Sequence, residues 1–410
     1  MRRSMAVAMT LVLALAMAGS SPALAAAGDL DPDFGTYGTT ITSFAPAYSS
    51  ASDIALQSND RIVTVGSANG DFVVMRYTVL GLPDPTFGSD GIVTTSFSPG
   101  EDLAHGVAIQ SDGKIVVVGT ANYEAIAVAR YTMSGVLDPT FSGDGKARAP
   151  AAEGADVGIQ SDGRIVVMGH GYDSGRNKIT FLALRFGMDG RRDLTFGTEG
   201  VSRVSFGRTT QSDQAWGGAL DQLDRIIMVG SAADKGFGVA RLLPDGSHDP
   251  DFGINGKTTT PFGAGGSGAY GVAIQADGRP VVVGYAVRNR GFDTVTAVAR
   301  YRLGGSLDPT FSDDGKTTTA FANDSEAWGV AIDASARIVT AGSMTYQWAI
   351  ARYRSNGNLD PTFGGDGKVT TNLTDGVDRA RAVAVQTNSG RIVAAGYATF
   401  DLAIAGYLGA

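Results

Sequence analysis

Seven copies of one phrase, close to Leu-Asp-Pro-Thr-Phe-Gly, punctuate this chain, and no other feature limits its fold so tightly. The phenylalanines fall at Phe34, Phe87, Phe141, Phe196, Phe252, Phe311 and Phe363, at intervals of 53, 54, 55, 56, 59 and 52 residues. A period of this size means one supersecondary unit copied and stacked, because a single unit cannot bury its apolar face alone. The repeat also sorts residues by role. Those that recur in every copy build the scaffold. Those that differ at one position while their neighbours repeat are where function can be placed.

The second copy shows the unit most cleanly. Gly106-Val107-Ala108-Ile109-Gln110 is a short apolar run, Ser111-Asp112-Gly113 is a tight-turn signal, and Lys114 to Val118 is a second run closed by Gly119. Two such runs about a short Gly-containing turn read as a β-hairpin. Ile126 to Tyr131 is a third run, and a Gly- and Pro-rich connection leads to a more polar fourth run from Lys146. None has helical period or length. With the runs labelled A to D, A and B are apolar on both faces, as in strands sandwiched between neighbouring sheets, and D reads as an edge strand. The arithmetic is that of an all-β fold, a seven-bladed β-propeller of four-stranded antiparallel blades. The repeats open on a lone D run, Thr39 to Phe44, and end on a lone C run, Leu402 to Tyr407. The N-terminal strand is therefore expected to complete the last blade and close the ring. An open solenoid would need distinct polar caps, and a β-helix, the alternative, usually has shorter coils.

The segments Gly-Val-Ala-Ile-Gln-Ser-Asp-Gly-Lys-Ile-Val-Val-Val-Gly (106–119), Ala-Val-Ala-Arg-Tyr (127–131) and Leu-Asp-Pro-Thr-Phe (137–141) resemble the bacterial delta-60 repeat, grouped with β-propeller domains of unknown function. The resemblance extends over nearly all of the chain after the leader. It implies an exported or surface-associated bacterial propeller, and it implies no activity, since that family supplies no catalytic residues to carry over. The A–B hairpin also looks distantly like NHL-type repeats.

Residues 1–25 read as a secretory signal peptide: Arg2 and Arg3 precede an apolar run from Met5 to Met17, and Ala23-Leu24-Ala25 offers a small-x-small cleavage site. The expected location is secreted, either extracellular or cell-surface associated, and periplasmic in a Gram-negative cell. Residues 26–410 then form a single propeller domain, expected to be a monomer. The chain has no cysteine, so packing and sheet hydrogen bonds must hold it together. A formal net charge of −8 with scattered Lys and Arg gives no electrostatic footprint for nucleic acid or anionic lipid. No later run approaches the roughly 18 apolar residues of a membrane span.

Among the recurring residues, Asp31, Asp84, Asp138, Asp193, Asp249, Asp308 and Asp360 stand three positions before each Phe. Arg76, Arg130, Arg185, Arg241, Arg300 and Arg352 stand near the end of strand C, with Gly406 in the seventh copy. Repetition favours a carboxylate that holds the turn and pairs with the strand-C arginine over seven equivalent acids or calcium ligands. The Gly-Asp-Gly turns at 143–145 and 365–367 lack the ligand alternation of a calcium loop. Gly66, Gly119, Gly169, Gly230, Gly284, Gly342 and Gly396 recur at the end of strand B, which marks a backbone constraint.

The position just before strand A does not recur. It reads Ser52, His105, Ala155, Trp216, Tyr270, Trp328 and Arg381. With strand A innermost, these residues would ring the channel mouth, where the D–A loops add Glu101, Asp102, Glu153, Asp213, Asp324, Glu326, Asp375 and Asp378. The B–C loops of the same face supply Tyr123, Tyr172, Phe292, Tyr346 and Trp348. Aromatics flanked by carboxylates suit sugar rings, which stack on the aromatic face while acids take their hydroxyls. The competing reading is that the same aromatics fill gaps between blades. The candidate ligand-binding residues are His105, Trp216, Tyr270, Trp328, Trp348 and Arg381. No catalytic residue, metal ligand or cofactor is assigned. The three histidines, His105, His170 and His248, do not supply a three-His zinc site, and no Walker loop or Gly-x-Ser-x-Gly elbow is present. The function expected is a binding or scaffold module for a polysaccharide or a surface protein. The alternatives are a carbohydrate-active lyase or hydrolase using loop carboxylates and a purely structural surface protein.

Overall fold

The computed structural model describes residues 25–410 except 46–47, 151, 208–210, 234–235 and 289–292. The leader and Phe292 thus lie outside the described residues. Strand β1 (Thr39–Thr42) precedes the first blade, which is β2 (Ser49–Leu56), β3 (Ile62–Ala68), β4 (Asp71–Tyr77) and β5 (Ile92–Thr95). Five further blades repeat this order: β6–β9 over 102–150, β10–β13 over 152–204, β14–β17 over 213–260, β18–β21 over 267–319 and β22–β25 over 325–371. The last sheet has the order β1-β28-β27-β26, built from β26 (Asp378–Val385), β27 (Ile392–Ala398), β28 (Asp401–Tyr407) and the N-terminal strand. Thr39 pairs with Ala405 and Thr42 with Leu402, antiparallel. The ring is closed by the chain's two ends, as the repeat phase requires, and the fold is an all-β, seven-bladed propeller.

The first strand of each blade is innermost, touching the first strand of the next, and β26 returns to β2. The core is a set of seven apolar layers between blades. One layer joins Val63, Val65 and Phe72 of blade one to Ile115, Val117 and Tyr131 of blade two. Each recurring phenylalanine is fully buried in such a layer. It fills the gap between neighbouring blades.

The strand-C arginine explains the repeated phrase. In six copies its Nε or Nη2 lies 2.7–2.9 Å from the Asp carboxylate. Its guanidinium sits 4.7–5.0 Å over the recurring Phe ring, a cation–π geometry. Nη1 reaches into the next blade and donates to a backbone carbonyl, Arg130 to Met188 and Arg185 to Pro244, with Arg76, Arg241, Arg300 and Arg352 doing the same at Met133, Leu303, Ser355 and Gly409. The other Asp oxygen accepts from the backbone N–H two residues on, Thr140 in the second copy. One arginine therefore holds its own turn, plates its phenylalanine and clasps the neighbouring blade.

The copy with Gly406 keeps the clasp by another route. Phe34 occupies the space beside Gly406, where a Cβ would lie 2.5 Å from the ring. Arg391, just before β27, instead pairs with Asp31 at 2.6 Å and donates to Val79 O of blade one.

The clasp generates a stability prediction. Asp138→Ala leaves Arg130 buried without its partner and should cost about 3–5 kcal/mol. Asp112→Ala, which removes a half-exposed carboxylate 2.5 Å from Lys114, should cost less than about 1 kcal/mol. Chemical denaturation of both variants checks the contrast.

Candidate functional site

The non-recurring position lies inside the inner strand, not before it. Strand A begins upstream of its apolar run, and the pairing register breaks at that residue in every blade: between Ala51 and Asp53, Ala104 and Gly106, Gly154 and Asp156, Ala215 and Gly217, Ala269 and Gly271, Ala327 and Gly329, and Ala380 and Ala382. Each skipped residue is a β-bulge, a device that re-aims one side chain. The recurring glycine of strand B makes room for it. A Cβ at Gly119 would stand 1.9 Å from the carbonyl oxygen of Leu103, and the six equivalent glycines show the same approach at 1.8–2.0 Å. Here glycine is required by a close backbone approach, not by positive φ.

The seven bulge residues meet around the channel. Together with Glu153, His170 and Tyr397 they line a cavity of about 330 Å³. The two sides differ. On one, Tyr270 stacks on Trp328 at 3.8 Å and 9°. Tyr285 lies 5.5 Å behind Tyr270, and the Arg381 guanidinium covers the other Trp328 face at 4.0 Å, with Tyr397 beyond it at 6.0 Å. On the other side Ser52 and Ala155 are small, which leaves the space open. Trp216, 37% exposed, stands edge-on to His170 at 4.9 Å. His170 Nδ1 contacts Ala215 O at 3.0 Å, and Nε2 lies 3.4 Å from Glu153.

Several sequence expectations are corrected by this arrangement. Trp348 is not on the ligand face: it is fully buried in the layer between the last two blades, donating to Tyr397 O at 3.1 Å. It falls at the start of strand C, which is buried on both sides. Tyr270 and Trp328 do reach the cavity, but their flat faces are spent on each other and on Arg381. Asp102, Asp213 and Asp378 are buried: Asp102 caps Phe97 and Ser98, Asp378 caps Leu373 and Thr374, and Asp213 pairs with Lys178 at 2.8 Å. Tyr123, Tyr172 and Tyr346 are exposed and do not line the cavity. His248 sits apart, against Arg203 O and Asn255 O.

The sequence reading missed Asp53 and Asp156, which line the channel beneath the cavity with His105, Trp216, Trp328 and Arg381. The signal was there. The residue after the bulge is Gly106, Gly217, Gly271, Gly329 or Ala382 in five copies and Asp in these two. Tyr285, Tyr397 and His170 likewise share one variable position, directly after the recurring strand-B glycine.

Four stretches of the chain, 110–141, 160–196, 275–311 and 337–363, match the family described as "Domain of unknown function (DUF5122) beta-propeller". Those four stretches are similar to that family's repeats and make up about a third of the chain. No curated protein matches the chain. Among solved structures, this propeller is similar to a catalytically inactive virginiamycin B lyase from Staphylococcus aureus with quinupristin, at 10% identity and a TM-score of 0.54, covering 90% of this chain and 99% of that one. It is also similar to the polysaccharide lyase Uly1, at 11% identity and a TM-score of 0.50, covering 92% of each chain. At such identities the likeness is one of fold.

The electrostatics of the cavity follow from its burial. Desolvation, with the charges of His170 and Arg381 adding to it and Glu153 opposing, lowers the His105 pKa to about 4 and keeps the imidazole neutral. Its hydrogen bond with His170 holds Glu153 below the usual carboxylate range. Burial raises Asp53 to about 7, with the charge of Asp156 adding to it, and raises Asp156 to about 6. Each is partly relieved by backbone donors, Val107 and Ile54 for Asp53, Gly218 and Val157 for Asp156. The two acids titrate as a pair. Among the described residues, no group of three or more His, Asp or Glu side chains is arranged to hold a metal ion.

Two predictions arise here. A carboxyl whose pKa is raised on folding binds its proton more tightly in the native state, so stability falls as pH rises from its unfolded value of 3.8 towards about 7. The melting temperature of the wild type minus that of an Asp53→Ala/Asp156→Ala variant should therefore decrease between about pH 5 and 8. His105 is common to both proteins, so its opposite contribution cancels. Calorimetry across that range checks the sign. Separately, Trp328→Ala breaks the stack and should destabilise by about 3 kcal/mol, more than Trp216→Ala does, as thermal melts of the two variants would show.

Proposed function

We propose that this protein is an exported β-propeller binding module that takes a sugar ring or glycan end into the channel-mouth cavity. The observation that supports this reading most is the pairing of one exposed aromatic, Trp216, with an enclosed polar wall. The wall offers His105, Glu153, His170 and Arg381 in a space at the lower end of the size range of ligand pockets. An amphipathic ring ligand needs one apolar platform and several convergent polar groups. A protein partner would need a face of roughly 800 Å² per side, and the cavity is a small concave site by comparison. Secretion and a monomeric state remain part of the proposal, in keeping with the leader-like residues 1–25.

Titration of the purified chain with a panel of soluble oligosaccharides and polysaccharides, followed by tryptophan fluorescence, tests it. A saturable change that disappears in Trp216→Ala is expected; Trp348, buried in the core, should not respond. A flat response across the panel would sink the glycan reading.

A second reading, a lyase, rests on one observation: Asp53 and Asp156, both raised by burial, line the channel beside His105, where a proton-transfer group is needed. Two fold neighbours are lyases by name. Release of unsaturated products from a polysaccharide in the same panel, lost in Asp53→Ala, would establish it over simple binding.

A further inference from the structure

Arg381 is built like half of a salt bridge. It is the one guanidinium among the described residues lining the cavity. Its faces are committed to rings, Trp328 at 4.0 Å and Tyr397 at 6.0 Å. A guanidinium stacked by its face keeps its in-plane N–H donors free for a planar acceptor. Tyr397 meets it through this ring contact, and no carboxylate of the described residues lies within ion-pair distance. The nearby acids are engaged elsewhere. Glu153 is beside His170, and Glu326 lies 3.8 Å from Arg379 and accepts from Ser343. Asp53 and Asp156 each accept two backbone N–H bonds. On the same wall, the buried Trp328 Nε1–H has no acceptor among the described residues.

A cation in this setting is costly. Burial lowers the Arg381 pKa, and the six scaffold arginines, buried to a similar or greater degree, all have an Asp partner. The chain spends an unpaired guanidinium where no turn or blade contact requires one. The other bulge positions carry Ser, His, Ala, Trp, Tyr and Trp, so the scaffold does not demand an arginine.

We propose that Arg381 is a carboxylate-binding subsite, and that the ligand of the cavity is an acidic ring compound, a uronate at the end of a glycan. The carboxylate lies in the guanidinium plane and completes the ion pair that the protein leaves open, while the ring extends across the cavity towards Trp216. The uronate part rests on the glycan reading above; the carboxylate part does not.

Isothermal titration of the full chain with two matched pairs separates them: D-glucuronate against D-glucuronamide, and benzoate against benzamide. Glucuronate should bind roughly tenfold or more tightly than its amide, the amount a charged hydrogen-bonded contact contributes. Arg381→Met should remove that advantage and Arg381→Lys should keep part of it, with circular dichroism confirming the fold of each. If Arg381→Met does not fold, the wild-type acid-to-amide ratio decides alone. Equal binding of acid and amide in both pairs overturns the subsite while leaving a neutral glycan site standing. Preference for benzoate with no response to either sugar keeps the carboxylate subsite and removes the uronate. No binding by any of the four compounds overturns the proposal.

Discussion

The guanidinium near the end of each strand C is the interaction on which this ring depends. A propeller has no central core; its blades adhere through separate apolar layers, and each layer could slide. The arginine prevents this by joining three things at once: a carboxylate in its own turn, a phenylalanine plugging the gap and a carbonyl of the following blade. Because Asp and Arg are both buried, neither tolerates loss of the other. The seventh junction shows that the requirement is for the contact and not for a sequence position. Where Phe34 lies too close to Gly406 for a side chain, Arg391 approaches from the turn before β27 and makes the same three-way contact.

A second constraint connects the scaffold to the site. The strand-B glycine allows the inner strand to bulge, and the bulge turns one residue per blade towards the channel. Seven such residues are then free of pairing and packing rules. The chain uses this freedom unevenly. Tyr270, Trp328 and Arg381 fill one side with a rigid stack, while Ser52 and Ala155 leave the other open, so an axially repetitive fold acquires a one-sided cavity. The raised pKa values of Asp53 and Asp156 follow from the same geometry, since side chains beside the bulge are drawn into a narrow, poorly hydrated channel.

Much of this was legible in the sequence. The period, the hairpin signals and the unmatched strands at the two ends were enough for blade number and closure, and the contrast between recurring and variable positions picked out the bulge residues before their geometry was known. Asp53 and Asp156 escaped attention because a deviation to Asp at a Gly position looks like ordinary surface variation unless the position is known to face the channel. Trp348 was misplaced because a strand start and a loop end are one residue apart, and that residue decides between core and solvent.

By itself, the sequence determined what repeats: strand order, the number of blades, the ring closure and the Asp–Arg pairing, all of which are set by local pattern and period. Only the tertiary structure decided what meets. His105, Glu153, His170, Trp216 and Arg381 come from four different blades, and their convergence depends on a ring that places residues far apart in the chain around one axis. Which aromatic faces remain free, which acid keeps its proton and which arginine lacks a partner are questions of through-space distance and dehydration, and no spacing along the chain encodes them.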